Sequence, residues 1–191
     1  MRLLFLAILV ALPMASRAVP VFLPTRDVAV TYRLIAPGRA PQDVQLSYNA
    51  AGELARIDAP GGYYVLGDLP AGQAELVIPG MHAVVQAPDF SAMTGEIRNA
   101  DGASFTLLGP GHYAGLGCEN YLVLDRNVTG TACLTATGVV LHFSGHDAHG
   151  KAEGTALSVT YAPQPPDLFA APQGFTPLNL PPGAVAALLN Q

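Results

Sequence analysis

The sequence has almost no lysine. Lys151 stands alone among 191 residues, and the arginines are scattered rather than clustered. Nucleic-acid binding rests on clustered Lys and Arg that neutralise phosphates, so no nucleic-acid partner is expected. With a formal net charge of −5, electrostatic docking on anionic lipid headgroups is disfavoured as well. Only two cysteines occur, Cys118 and Cys133, with no C-x-x-C spacing and no third soft ligand beside them. A thiol redox motif and a zinc ribbon are therefore both unsupported.

Catalytic signatures are missing too. There is no G-x-S-x-G elbow for a serine nucleophile and no H-E-x-x-H metal motif. Asp27, Asp58, Asp68, Glu96 and Glu153 occur singly. The glycine-rich stretch Gly109 to Gly117 contains Pro110 and lacks the Lys-Ser/Thr ending of a phosphate loop. It reads as a wide connection between strands, since a phosphate cradle needs backbone donors at a helix N-terminus. No enzyme activity and no cofactor are expected.

What is present begins at the N-terminus. Arg2 precedes an apolar run from Leu3 to Leu12, Pro13 breaks it, and Ser16 and Ala18 are small residues at −3 and −1 of a cleavage site. The run is about half the ~20 residues of a membrane span, so residues 1–18 read as a signal peptide cleaved near Ala18. Residues 19–191 then form one exported domain, without a stable transmembrane anchor, in a bacterial periplasm or outside the cell. Losing Arg2 and Arg17 moves the net charge from −5 to −7. Half the residues are hydrophobic and the mean hydropathy is +0.33, which implies a well-filled core or an exposed apolar surface or cavity.

Val28, Val30, Tyr32 and Leu34 alternate with smaller or polar residues, the period-2 mark of a strand. Val44, Leu46 and Tyr48 repeat it. Turn signals such as Pro37-Gly38, Pro60-Gly61-Gly62 and Pro79-Gly80 then recur at intervals of about 8–12 residues, the rhythm of short antiparallel strands. About ten strands are expected in a mainly β domain. Asp89 is placed to cap a short helical turn, and 183–190 a short terminal helix. Residues 163–191 are rich in proline yet carry Leu168, Phe169, Phe175, Leu178 and Leu180. So many large apolar groups predict a segment packed on the domain.

In an exported chain a single cysteine pair reads as a disulfide. The sequence between Cys118 and Cys133 reads strand, polar turn, strand, and a hairpin centred on Asp125-Arg126 sets the two opposite each other. Asn127-Val128-Thr129 matches a glycosylation acceptor, which in a bacterium only marks an exposed turn. His142, His146, Asp147 and His149 form the densest polar cluster and hold the right atoms for zinc, nickel or copper. On a strand His142 and His146 face one side, and His149 joins them only if the turn folds back. The alternative is a solvated hairpin loop between two apolar strands.

Ala114-Gly115-Leu116-Gly117-Cys118-Glu119-Asn120-Tyr121 resembles the AG-x-x-C-x-x-Y signature of uncharacterised bacterial periplasmic domains near the LolA/LolB lipoprotein-carrier fold. Leu168-Phe169-Ala170-Ala171-Pro172-Gln173-Gly174-Phe175 resembles their lF-x-x-P-x-Gf ending. The resemblance implies a curved antiparallel sheet, a half-barrel around a few short helices, with an apolar cavity able to hold acyl chains. Low helix content and the cysteine pair depart from the true carriers, and no ligand-contacting arginine and no catalytic residue can be carried over. The sequence thus predicts a non-enzymatic envelope protein for a lipid, lipoprotein, acylated peptide or other apolar ligand. A metal-binding protein and a structural or partner-binding domain are the alternatives.

Overall fold

The computed structural model describes residues 20–86, 103–125, 129–147, 150–181 and 184. The expected signal peptide, the Asp89 cap and the terminal helix of 183–190, apart from Ala184, lie outside them. Among the described residues twelve strands form one open sheet, with the strand Thr176–Asn179 at one edge and Ser104–Tyr113 at the other. Two meanders make it up. The first comprises β1 (Val28–Ile35), β2 (Gln42–Asn49), β3 (Leu54–Ala59), β4 (Tyr63–Asp68), β5 (Gln73–Ile78) and β6 (Ala83–Gln86). The second comprises β7 (Ser104–Tyr113), β8 (Leu116–Leu124), β9 (Thr129–Leu134), β10 (Val140–Asp147) and β11 (Gly150–Thr160).

The meanders join where β1 pairs with β11, Val30 opposite Val159. Alternation along the strands then builds an apolar row across the sheet, because side chains two residues apart share a face. Val159, Val30, Leu46, Ile57, Val65, Leu76 and Val85 stand opposite one another in turn. Val30, Leu76 and Val85 are buried. Full burial of such a side chain stabilises by about 1.5–3 kcal/mol. A register slip of one residue would turn the whole row to the other face.

The mainly β, antiparallel expectation holds, with two differences. There are twelve strands in place of about ten, and β12 (Thr176–Asn179) runs parallel to β6, with Leu178 opposite Val85. Leu178 therefore extends the apolar row by one strand. The proline-rich segment hid this strand, because Pro177 cannot donate to a ladder and reads against one. At the very edge of the sheet that missing donor is tolerated.

Between β11 and β12 the chain crosses the sheet as a strap. The backbone N–H of Gln164 donates to Asp27 Oδ2 at 2.8 Å, and that carboxylate also accepts from the N–H of Ala50 at 2.8 Å. These two bonds, with a weaker one from Asn49, hold the Asp27 carboxyl below its usual range. Further on, Arg56 Nη1 donates to the carbonyl of Leu168 at 3.3 Å, at the 3-10 turn Pro166–Phe169. Arg56 is aimed by Asp58 at 2.7 Å and lies over the Tyr64 ring at 3.7 Å. Phe175 then packs with Tyr64, Leu66, Val77 and Val84, while Leu178 and Leu180 pack with Leu76 and Val85 on the opposite face.

Candidate binding surface

The β7–β9 end of the sheet differs chemically from the rest. Glu119 is the only formally charged side chain on its three strands. Apolar groups stand free there: Leu107 is 54% exposed, Leu108 57% and Leu124 42%. A bulge produces the Leu107-Leu108 pair. Leu107 is opposite Tyr121 and Gly109 opposite Asn120, so Leu108 is the extra residue. Gly109 takes φ of +129° there, a conformation open to glycine.

The stretch Gly109 to Gly117 is thus not a wide loop. It continues β7 to Tyr113, turns at Ala114-Gly115 and enters β8 at Leu116. Its glycines serve packing and turning. A Cβ at Gly111 would stand 2.5 Å from Cys133 Sγ and 2.6 Å from Asn120 Nδ2. Asn120 Nδ2 donates to the carbonyl of Pro110 at 3.1 Å, which ties the edge strand to β8.

Cys118 and Cys133 are bonded, with Cα atoms 5.5 Å apart. They are not directly opposite, since Cys133 faces Asn120 and Leu134 faces Glu119. The pairing is centred one residue beyond Asp125-Arg126, and the bridge closes on a diagonal. The Asn127-Val128-Thr129 match falls at the end of this hairpin, where 126–128 lie outside the described residues.

Beside the disulfide is an open cleft of about 460 Å³, whose lining includes Pro20, Val21, Cys118, Glu119, Tyr121 and Leu134. The segment before β1 forms one wall. It is held by the Thr25 N–H donating to the Thr137 carbonyl at 3.0 Å and by Phe22 stacked on Phe105 at 5.6 Å. Phe105 in turn meets the Tyr121 ring edge-on at 6.3 Å. The cleft falls in the 300–1,000 Å³ range of small-ligand sites. A second cleft, of about 510 Å³, is lined by Arg33, Ile35, Asp43 and three neighbours, and its Arg33–Asp43 ion pair at 2.9 Å is exposed. It offers little beyond that pair.

Two members of the histidine cluster stand apart. His142 and His146 do share a strand, but four residues at the strand rise separate them by about 13 Å. His142 is already engaged: its ring stacks on Tyr113 at 4.7 Å and Nδ1 is 3.0 Å from Thr155 Oγ1. His146 is exposed opposite Lys151, and Asp147 is opposite Gly150 in the hairpin expected there. His149 lies outside the described residues. Among the described residues no three His, Cys, Asp or Glu groups come together to hold a metal.

Sequence reading missed the bulged leucines and the wall formed by Val21 and Phe22. One signal was available. Gly109 follows the Leu107-Leu108 doublet, and a glycine inside a strand pattern is a mark of a bulge.

Solved structures match most of the chain at low identity. An uncharacterised conserved protein from Thermus thermophilus aligns over 82% of this chain and 91% of its own, with 11% identity and a TM-score of 0.57. MucB aligns over 79% of this chain and 59% of its own, with 12% identity and a TM-score of 0.55. In the Pseudomonas aeruginosa MucA/MucB complex the match covers 76% and 56%, at 14% identity and 0.53. The chain shares their fold. A LolA superfamily protein from Nitrosomonas europaea also matches over 78% of this chain and 92% of its own, at 13% identity and a TM-score of 0.39. No family model and no curated protein matches the sequence. No helix among the described residues is long and apolar enough to cross a membrane.

Proposed function

We propose that this chain is an exported, non-enzymatic protein of the bacterial envelope that binds an apolar ligand, a lipid or an acylated peptide, on the β7–β9 rim. The observation that carries this reading is the exposed Leu107-Leu108 pair, with Leu107 on the same sheet face as Tyr121 of the adjoining cleft, in a region whose one formal charge is Glu119. Exposed apolar groups gathered at one place mark binding surfaces more often than singly scattered ones do. Export is supported by the signal-peptide pattern of residues 1–18 and by the Cys118–Cys133 bridge, a bond that persists in oxidising compartments.

Native mass spectrometry on protein extracted under mild conditions tests the reading. A mass excess matching a lipid or acylated peptide, lost on organic extraction, is expected. Protein that is ligand-free from every mild extraction, and that binds no fluorescent fatty acid, would sink it.

A second reading, a partner-binding domain, is favoured by MucB, which shares the fold and has been solved in complex with MucA. A metal-binding role for His142, His146, Asp147 and His149 has less behind it, because His142 is committed to Tyr113 and Thr155. Zinc and copper titration separates it from the others.

A further inference from the structure

The two ends of the sheet are built differently. At one end β12 is four residues long and contains Pro177, features that blunt an edge against further pairing. At the other end β7 runs ten residues without one charged side chain. Edge strands in monomers are commonly guarded by lysine, by proline or by a bulge. Here the bulge and Pro110 guard the second half only. Among the described residues no strand pairs with the outer side of Ser104–Leu108, and its two leucines are more than half exposed.

The finished end shows what this sheet accepts. There an extended segment adds alongside β6, with Phe175 seated on one face and Leu178 and Leu180 on the other. The Thr176 N–H donates to the His82 carbonyl at 2.7 Å, and the Leu180 N–H to the Gln86 carbonyl at 3.1 Å. Leu178 closes an apolar row that would otherwise stop at Val85. A second row crosses the other meander, where Leu34, Gly154, Phe143, Ala132, Tyr121 and Leu107 stand opposite one another in turn. That row stops at Leu107, which faces solvent.

We propose that β7, along Ser104–Leu108, accepts an extended apolar segment of a partner polypeptide as an added strand. The inference rests on the reading of the β7–β9 rim as the binding surface and develops the partner-binding reading of that rim. An acyl chain covers leucines but offers nothing to backbone N–H and C=O groups. A polypeptide strand satisfies both, the backbone giving affinity and alternate side chains giving selectivity. The near absence of charge on β7–β9 fits a segment of alternating apolar and small polar residues better than an acidic or basic one.

The test uses the purified protein with two probes, a fluorescein-labelled seven-residue peptide alternating threonine and leucine, and dansyl-undecanoic acid. Peptide binding is expected to slow amide exchange within Phe105–Leu108, and Leu107→Lys is expected to weaken it at least tenfold. Binding of the acyl probe but not the peptide would overturn the strand proposal and leave the apolar-ligand reading standing. Binding of neither would remove both. Peptide binding without slowed exchange at Phe105–Leu108, or unmoved by Leu107→Lys, would also overturn it. So would a dimer that Leu107→Lys dissolves, since the edge would then serve a second copy.

Discussion

Gly111 lies directly against the sulfur of Cys133, so close that an added methyl group would stand 2.5 Å from it. Cys133 is fully buried and tied into the disulfide, so its sulfur cannot yield, while Asn120 could turn aside only by giving up its bond to the Pro110 carbonyl. Gly111→Ala is expected to destabilise by about 1–3 kcal/mol, the range for overpacking. Replacing both cysteines by serine opens a loop of sequence separation 15 and is expected to cost about 3 kcal/mol. Urea midpoints under non-reducing conditions measure both. A Gly111→Ala midpoint equal to wild type would mean the hairpin sits differently over the bridge.

Asp27 sets an acid limit on the strap. Its folded pKa is lowered from 3.8, chiefly by the backbone bonds from Gln164 and Ala50. The stabilisation is thus fully present above the unfolded value and is lost as pH falls through the lower, folded one. Asp27→Asn is expected to cost about 1 kcal/mol at pH 7 and to flatten the stability profile at pH values below about 4. Chemical denaturation from neutral pH into strong acid reads the difference, and parallel profiles for the two proteins would exclude Asp27 as the group responsible.

Arg56 pins the strap to β3 through the Leu168 carbonyl. Arg56→Ala is expected to speed proteolysis between residues 162 and 172 several-fold, with the β1–β11 seam unaffected. Arg56→Lys keeps the charge but loses the planar fork and its stacking on Tyr64, so it should rescue only partly. Full rescue by lysine would reduce the role of Arg56 to its charge.

The apolar row makes a graded prediction. Leu76 is fully buried at its centre, so Leu76→Ala is expected to cost about 2–5 kcal/mol. Leu178 sits at the edge and is only partly buried, so Leu178→Ala should cost no more than about half as much. Thermal denaturation of the two variants ranks them. Equal losses would show that β12 is as integral to the core as β5.

Much of this was legible in the sequence because turn chemistry and alternation agreed. Pro37-Gly38, Pro60-Gly61-Gly62 and Pro79-Gly80 mark the first meander, and between them the apolar period is 2. The bond between Cys118 and Cys133 was legible from parity and from the export that residues 1–18 predict. Its diagonal geometry was not, since turn placement fixes register and the polar run Asp125-Arg126-Asn127 allows several centres. The second half of β7 was hidden because Gly109, Pro110 and Gly111 carry loop composition while packing against a disulfide. β12 was hidden for a related reason, as proline is compatible with a strand only at an edge and sequence does not say where the edge is. The histidines at 142 and 146 advertised polar chemistry, but one is bound up with Tyr113 and Thr155, partners brought near only by the folded sheet.

The seam between β1 and β11 has a consequence for when the molecule can fold. Each meander consists of neighbours in sequence, whose hairpins form on microsecond timescales. Val30 and Val159 are 129 residues apart, and their pairing closes a loop that contains nearly the whole sheet. Such non-local pairing is slow to form. A chain emerging N-terminus first would present β1 long before its partner, with Val28 and Val30 exposed on one side until β11 arrived. For the export proposed above, that delay is an advantage, because a chain that stays incomplete until its last strands appear can still be threaded through a membrane channel.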